Sequence, residues 1–220
     1  MKKKKIIIIA ISSIVAALGL SVAVPFAIMG VRTAGTKSKY DYLKTDPIYS
    51  QKVEVTGLEL VKQHVSCGYA SIEMMSSYYG NKVTEDDLDS RNRSISTSTS
   101  RGFLKEIKKS IPSKSFKMET YLQNDILLKK ICVSLKDNNP VVIEWAAQYE
   151  GTWTLHFSVV SGIDLANDNV QIYNPYGYIE NITTNEFINR TSFKSFKNPG
   201  FLNFGFAYGT FHKNVVFYAN

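Results

Sequence analysis

The sequence predicts an α+β domain in which helices come first and antiparallel strands follow. Between residues 67 and 136 the chain carries helical periods, caps and stops. After Pro140 it turns to β-rich runs bounded by turn residues, and no internal repeat divides it.

Ahead of the domain, Lys2, Lys3, Lys4 and Lys5 precede an uncharged, largely apolar run from Ile6 to Met29, and Arg32 closes it. Those 24 residues would span about 36 Å as a helix, enough for a hydrocarbon core of ~30 Å. Leading lysines favour a cytoplasmic N-terminus, which would put everything after Arg32 on the far side. The run is longer than an ordinary signal-peptide core and so fits an uncleaved anchor. Pro25 and the small residues Ala27, Ala34 and Gly35 also fit a cleavage region, so a secreted form stays open.

The net charge of +7 is mostly topological. Five of the 26 basic residues lie at or before Arg32 and all 19 acidic ones follow it, leaving 21 against 19, or +2, in the remainder. With no basic stripe interleaved with aromatics, nucleic-acid binding is excluded as a function class. Two cysteines, Cys67 and Cys132, are too few for a disulfide scaffold, and the remaining length is enough to bury a core without one.

Residues 33–52 are polar and mixed and read as a linker, so the expected division is 1–32 targeting segment, 33–52 linker and 53–220 folded domain. From Cys67 to Tyr79, Ala70, Met74 and Tyr78, and Ile72, Met75 and Tyr79, recur at helical spacing, with Gly80 as the stop. Thr84, with Asp87 three residues on, caps a second helix. The low-complexity stretch 91–102 reads as a loop. A third helix is expected over Arg101–Ser110, ending before Pro112. A fourth runs over Asp125–Lys136, with Leu128, Cys132 and Leu135 on one face and Asn138-Asn139-Pro140 ending it.

Val141–Trp145, Leu155–Val160 and Val170–Tyr173 are expected as strands. Asn167-Asp168-Asn169 makes the last two a hairpin, with Asp164 and Asp168 serving its loop. A short helix near Thr184–Arg190 and two further strands, about Phe204–Phe211 and Val215–Tyr218, complete the expectation.

The chemistry-bearing residues fall at particular places in that layout. Cys67 opens the first domain helix, where the positive end of the helix dipole favours a thiolate; a buried structural cysteine is the alternative. In a strand, His156, Ser158 and Val160 share one face and Leu155, Phe157 and Val159 the other. Asn174 ends the next strand, where an amide oxygen could orient the His156 ring; by itself, an Asn before Pro is only a turn signal. Gln63, four residues before Cys67, could aim its amide at a developing oxyanion or be a plain surface glutamine.

The stretch QHVSCGYASIEMMSSYYG (63–80) resembles the signature of papain-like peptidases of the bacteriocin-processing, double-glycine class, and more closely their stand-alone relatives that lack a transporter. The likeness continues through VTEDDL (83–88), NPVVIEW (139–145), the histidine run (152–162), VQIYNPYG (170–177) and TTNEFIN (183–189), in the family's order. It implies a papain-like fold with helices packed on an antiparallel sheet. It also implies a hydrolase of peptide or other amide bonds, with a peptide or protein as substrate, which the leading lysines would place outside the cytoplasm. Cys67 would be the nucleophile, His156 the general acid and base, Asn174 the orienting residue and Gln63 the oxyanion donor. A catalytically silent domain of the same fold that binds a peptide or a membrane partner is the alternative.

Tyr69 stands where the family usually has Pro, Asn174 where it frequently has Asp, and the spacing from Gln63 to Cys67 is short beside that of papain. No cofactor is implied. His64 and His212 lie far from any second ligand pattern, so no metal is expected. Cys132 falls on the apolar face of its helix and reads as core. Asn92, Asn181 and Asn189 match the glycosylation pattern, as an Asn-rich chain does by chance.

Overall fold

The computed structural model of the chain describes residues 2–92, 96–194, 196 and 199–219, with side chains from residue 18 onward. Part of the expected 91–102 loop, and of the acceptor pattern at Asn92, lies outside the described residues.

A long helix, α1 (Lys2–Gly35), leads into a short 3-10 turn (Asp41–Lys44). The domain then runs β1 (Val53–Glu54), α2 (Cys67–Tyr78), α3 (Glu85–Asn92), α4 (Ser100–Ser110), β2 (Phe116–Glu119) and α5 (Asn124–Lys136). It continues with β3 (Val141–Tyr149), β4 (Thr152–Asp164), β5 (Asn169–Asn174), β6 (Tyr178–Ile182), α6 (Thr184–Thr191), α7 (Gly200–Ala207) and β7 (Val215–Ala219). The strands form one antiparallel sheet in the order β2-β7-β3-β4-β5-β6, with β1 pairing β4 off that path.

Local chemistry explains the helix ends. Ser66 and Thr99 accept from the N–H groups of Tyr69 and Gly102 at the starts of α2 and α4. Thr84 and Asp87 exchange side chain-to-backbone bonds, a capping box at the start of α3. Gly80 follows α2 at φ +76°, a conformation that a side chain would oppose.

Both faces of the sheet are covered, which is why Val141–Ile143 reads as an unbroken apolar run. Val142, Phe157, Val159 and Phe217 pack against α2 and α4, and Val141, Ile143, Trp145, Val160 and Ile172 against α5 and α6. Phe103 of α4 stacks on Phe157 with ring centroids 4.5 Å apart and also meets Phe217 at 4.7 Å.

Residues 36–50, polar enough to read as a linker, lie against α5. Leu43 is fully buried, and Ser38 and Tyr42 both donate to Asp125, at 2.6 and 2.8 Å. One expectation is corrected. Phe204–Phe211 is not a strand; α7 covers its first half and a turn the rest. Leu202 and Phe206, four residues apart, are buried together while Phe201 and Phe204 are exposed. That is helical spacing, and it prevails over the β-propensity of the aromatics.

Phe103→Ala should lower the unfolding free energy by about 3–5 kcal/mol, read by urea unfolding in detergent. An unchanged midpoint would mean that the aromatic stack does not hold α4 to the sheet.

Candidate active site

Cys67 is placed by the segment before it. The buried Glu85 carboxylate accepts the backbone N–H groups of His64, Val65 and Ser66 at 3.1, 3.0 and 3.0 Å, and Glu85's own N–H is tied to Glu73 at 2.7 Å. Ser66 then caps α2. A Cβ on Gly68 would stand 2.5 Å from Thr97, so only glycine lets the 96–99 turn close over the start of the helix. The sequence reading missed Glu85. Its signal was the VTEDDL segment, where the capping box needs only Asp87 of three acidic residues.

The thiol is half-buried and unbridged. Burial pushes it up to about 11; the N–H groups of Phe157, Gly68 and Cys67 itself favour the anion, and nearby Glu144 opposes it. The helix-terminal effect expected from the sequence is present, but desolvation outweighs it.

His156 lies on β4 directly across from Trp145 of β3, and its ring stacks on Tyr176 at 4.0 Å. Its Nε2 is 2.9 Å from Asn174 Oδ1. The orientation of Asn174 follows from its other partners. Tyr176 N–H, which can only donate, meets Oδ1 at 3.0 Å, and Glu180, which as a carboxylate only accepts, meets Nδ2 at 2.5 Å. Oδ1 is therefore the acceptor toward His156, so Nε2 carries the proton and Nδ1 holds the free lone pair. Burial pushes the imidazole down to about 3, with Asn174 opposing and Arg190 adding to the shift.

Behind Asn174 the chain of contacts continues. Arg190 donates to Glu180 at 2.6 Å and to the Ala146 carbonyl at 2.8 Å, and lies 3.5 Å from the Trp145 ring centroid. Neither Glu180 nor Arg190 was singled out from the sequence, where Arg190 looked like a helix end and part of a glycosylation pattern.

β4 and β5 bring His156 and Asn174 together, and Cys67 meets the strand one residue from His156. β5 stops pairing with β4 at Val159, and on the β4 edge beyond it the Phe157 N–H serves the sulfur, one residue from His156. Among the described residues no hydrogen bond joins the thiol to the imidazole. Gln63 lies beside Pro175, its N–H on the Pro175 carbonyl at 2.7 Å and its Oε1 buried without a partner among the described residues.

An apolar cleft of about 480 Å³ opens beside Cys67, lined by Trp153, Leu155, Phe157, Phe201, Leu202 and Phe211 among others. Beneath the site, Ser100 donates to Glu144 at 2.5 Å and is 2.9 Å from His212 Nδ1, a second buried polar group that sequence reading missed. Burial pushes Glu144 up to about 8 and His212 down to about 4. Cys132 is buried in the core, as read. Among the described residues no three His, Cys, Asp or Glu side chains converge as a metal site.

The family model of the Peptidase_C39 like family matches residues 45–201. Among solved structures, a double glycine motif protease from an AMS/PCAT transporter, crystallised with the leader peptide, is similar in fold. It is 17% identical, with 77% of this chain and 99% of that chain covered and a TM-score of 0.50. No curated protein matches the chain.

Two outcomes are expected. His156 and His212, held below their usual value near 6.5, leave the unfolded chain binding more protons below that pH, so stability falls as pH drops from about 6.5. Glu144, raised to about 8, keeps a proton that the unfolded chain loses, so its contribution is lost as pH rises from about 4.5 through 8. The melting temperature in detergent should peak near pH 6.5, and Glu144→Gln should flatten the alkaline side. Separately, Asn174→Asp sets a carboxylate against Glu180 in a buried position and should destabilise the fold. Adding Glu180→Gln should recover roughly 1–3 kcal/mol of coupling, measured as a double-mutant cycle; strict additivity would remove Glu180 from the site.

Proposed function

The chain belongs to the Peptidase_C39 like family, and from that premise we propose that it is a cysteine hydrolase of peptide or other amide bonds, held outside the cytoplasm by α1. The observation that carries this reading is the assigned proton on His156 Nε2. It leaves Nδ1 as a base, in a site where a helix-terminal cysteine meets the neighbouring Phe157 N–H.

In the proposed cycle His156 Nδ1 takes the Cys67 proton as sulfur attacks the substrate carbonyl. The Cys67 N–H and the Gln63 side-chain amide hold the oxyanion. The imidazolium, steadied by Asn174, gives its proton to the leaving amine as the C–N bond breaks. The same ring then removes a proton from water as it adds to the thioester, and the acid leaves with the thiol restored. At neutral pH the resting pair is thiol and neutral imidazole, so proton transfer accompanies attack.

Peptide is the favoured substrate class: the fold neighbour is described in complex with a leader peptide, and the cleft beside Cys67 is apolar and open. The double-glycine preference named for that neighbour is not carried over. The topology proposed for α1 rests on the four leading lysines and on the one described helix long and apolar enough to cross a membrane, with a mean hydropathy of 1.4 over Leu18–Gly35.

One observation favours a second reading, a peptide-binding domain without turnover: burial holds both reacting groups in their uncharged forms. A peptide and amide substrate screen separates the two. Hydrolysis should fall about 10⁶-fold in Cys67→Ala, the scale for losing a triad nucleophile, while the fold persists. Peptide binding with no turnover in the unsubstituted chain would establish the second reading.

A further inference from the structure

α7 carries an exposed aromatic face that the proposed chemistry does not use. Phe201, Phe204 and Tyr208 are 67%, 54% and 55% exposed, and the helix contains no charged residue. It is docked on α1. Phe204 meets Phe26 edge-on with ring centroids 5.3 Å apart, and Met29 packs with Leu202 and Phe206.

The Tyr208 hydroxyl donates to the Ser21 carbonyl at 3.0 Å. That carbonyl has a specific need. Pro25 lies inside α1, four residues on, and proline has no N–H to close the helical bond back to Ser21. Tyr208 supplies the missing donor, which matters most where no water can do so. The contact is therefore built into the helix rather than incidental to it.

The level of that contact along α1 is informative. Counting about 30 Å of hydrocarbon from Ile6, at 1.5 Å per residue, ends it near Pro25. Ser21 lies just inside that boundary, Phe26 just outside it and Met29 in the interfacial layer. On the same stretch of α1, Leu18, Leu20, Val22, Val24 and Ile28 are all exposed. Basic side chains gather next to it. Arg32 of α1 lies over the Tyr121 ring, and Lys213 over the Phe206 ring of α7. Aromatics at the boundary with cations just beyond them match the order of acyl chains and phosphates in a leaflet.

We propose that the face shared by α7 and the outer part of α1 seats in a phospholipid bilayer. Phe201, Phe204 and Tyr208 lie at the junction of acyl chains and headgroups. This rests on the reading of α1 as a membrane span. Because Phe201 and Leu202 also line the cleft beside Cys67, the cleft opens at headgroup level. Its substrates are then peptide or amide bonds held close to the membrane, on segments tethered by a lipid or a neighbouring span.

The test places the full chain in phosphatidylcholine vesicles whose acyl chains are brominated near the headgroup end. Phe204→Trp is compared with Leu20→Trp, and the unsubstituted chain supplies the background from Trp145 and Trp153. Bromolipid quenching and a blue-shifted emission for Phe204→Trp are expected. Phe201→Trp repeats the measurement at a more exposed position should the Phe26 contact not tolerate indole. Quenching of Leu20→Trp alone would overturn the proposal while leaving α1 in the bilayer. Quenching of neither would remove the membrane span and the proposal with it, and would leave amide hydrolysis by Cys67 to its own assay.

Discussion

The buried Asn174 side chain makes its contacts in one orientation only, and the chemistry available to the site follows from that. An amide between a backbone N–H and a carboxylate has no freedom to flip without losing both bonds. Tyr176 and Glu180 occupy those two positions, so the oxygen must face His156. Polarity then propagates outward. Glu180 is held by Arg190, and Arg190 by the Ala146 carbonyl and the Trp145 ring. Because Ala146 and Trp145 belong to β3, which pairs with the strand bearing His156, the sheet supports the His156 ring through a loop of contacts. The same chain explains an asparagine where relatives frequently have an aspartate. With Glu180 already present, a second carboxylate would meet a like charge in a desolvated place.

Burial and charge act against each other at the thiol. A helix N-terminus and three N–H groups favour the anion, yet the packing that positions Cys67 also removes water, and that effect is larger. The imidazole is held neutral by the same cause. Charge would develop as the proton moves, and the two new charges would then attract each other in a medium that screens them weakly. The N–H groups already directed at sulfur would stabilise it at that moment without reorganising.

Much of the fold was legible because local and tertiary preferences agree. The cap Thr84, the stop at Gly80 and the hairpin at Asn167-Asp168-Asn169 are local devices that short stretches of sequence display. The alternation of β4 also told which face His156 occupies. What stayed hidden depends on partners distant in sequence. α7 reads as a strand because aromatics dominate it, and only burial of Leu202 with Phe206 gives it a helical face. Glu85 binds a segment some twenty residues before it, and Arg190 reaches back 44 residues to Ala146, relations that no local pattern records. Cys67, His156 and Asn174 were legible as candidates; the lone pair at Nδ1 was not, since it depends on Glu180.

The position of the site follows from where the sheet opens. α2 packs on one face of the sheet while His156 points to the other, so a continuous sheet would keep sulfur and imidazole apart. β5 ends its pairing at Tyr173 and Pro175 cannot donate to a ladder, which leaves the β4 edge free at Phe157. Through that gap the start of α2 reaches the strand, and Tyr176, just past the proline, stacks on His156 while lying within electrostatic range of Cys67. The Asn-Pro-Tyr sequence therefore does three things in succession. Asn174 orients the ring, Pro175 stops the ladder, and Tyr176 stacks on the ring. Substituting Pro175 would threaten that opening without touching Cys67 or His156, because an N–H restored at 175 invites the strand to continue across it.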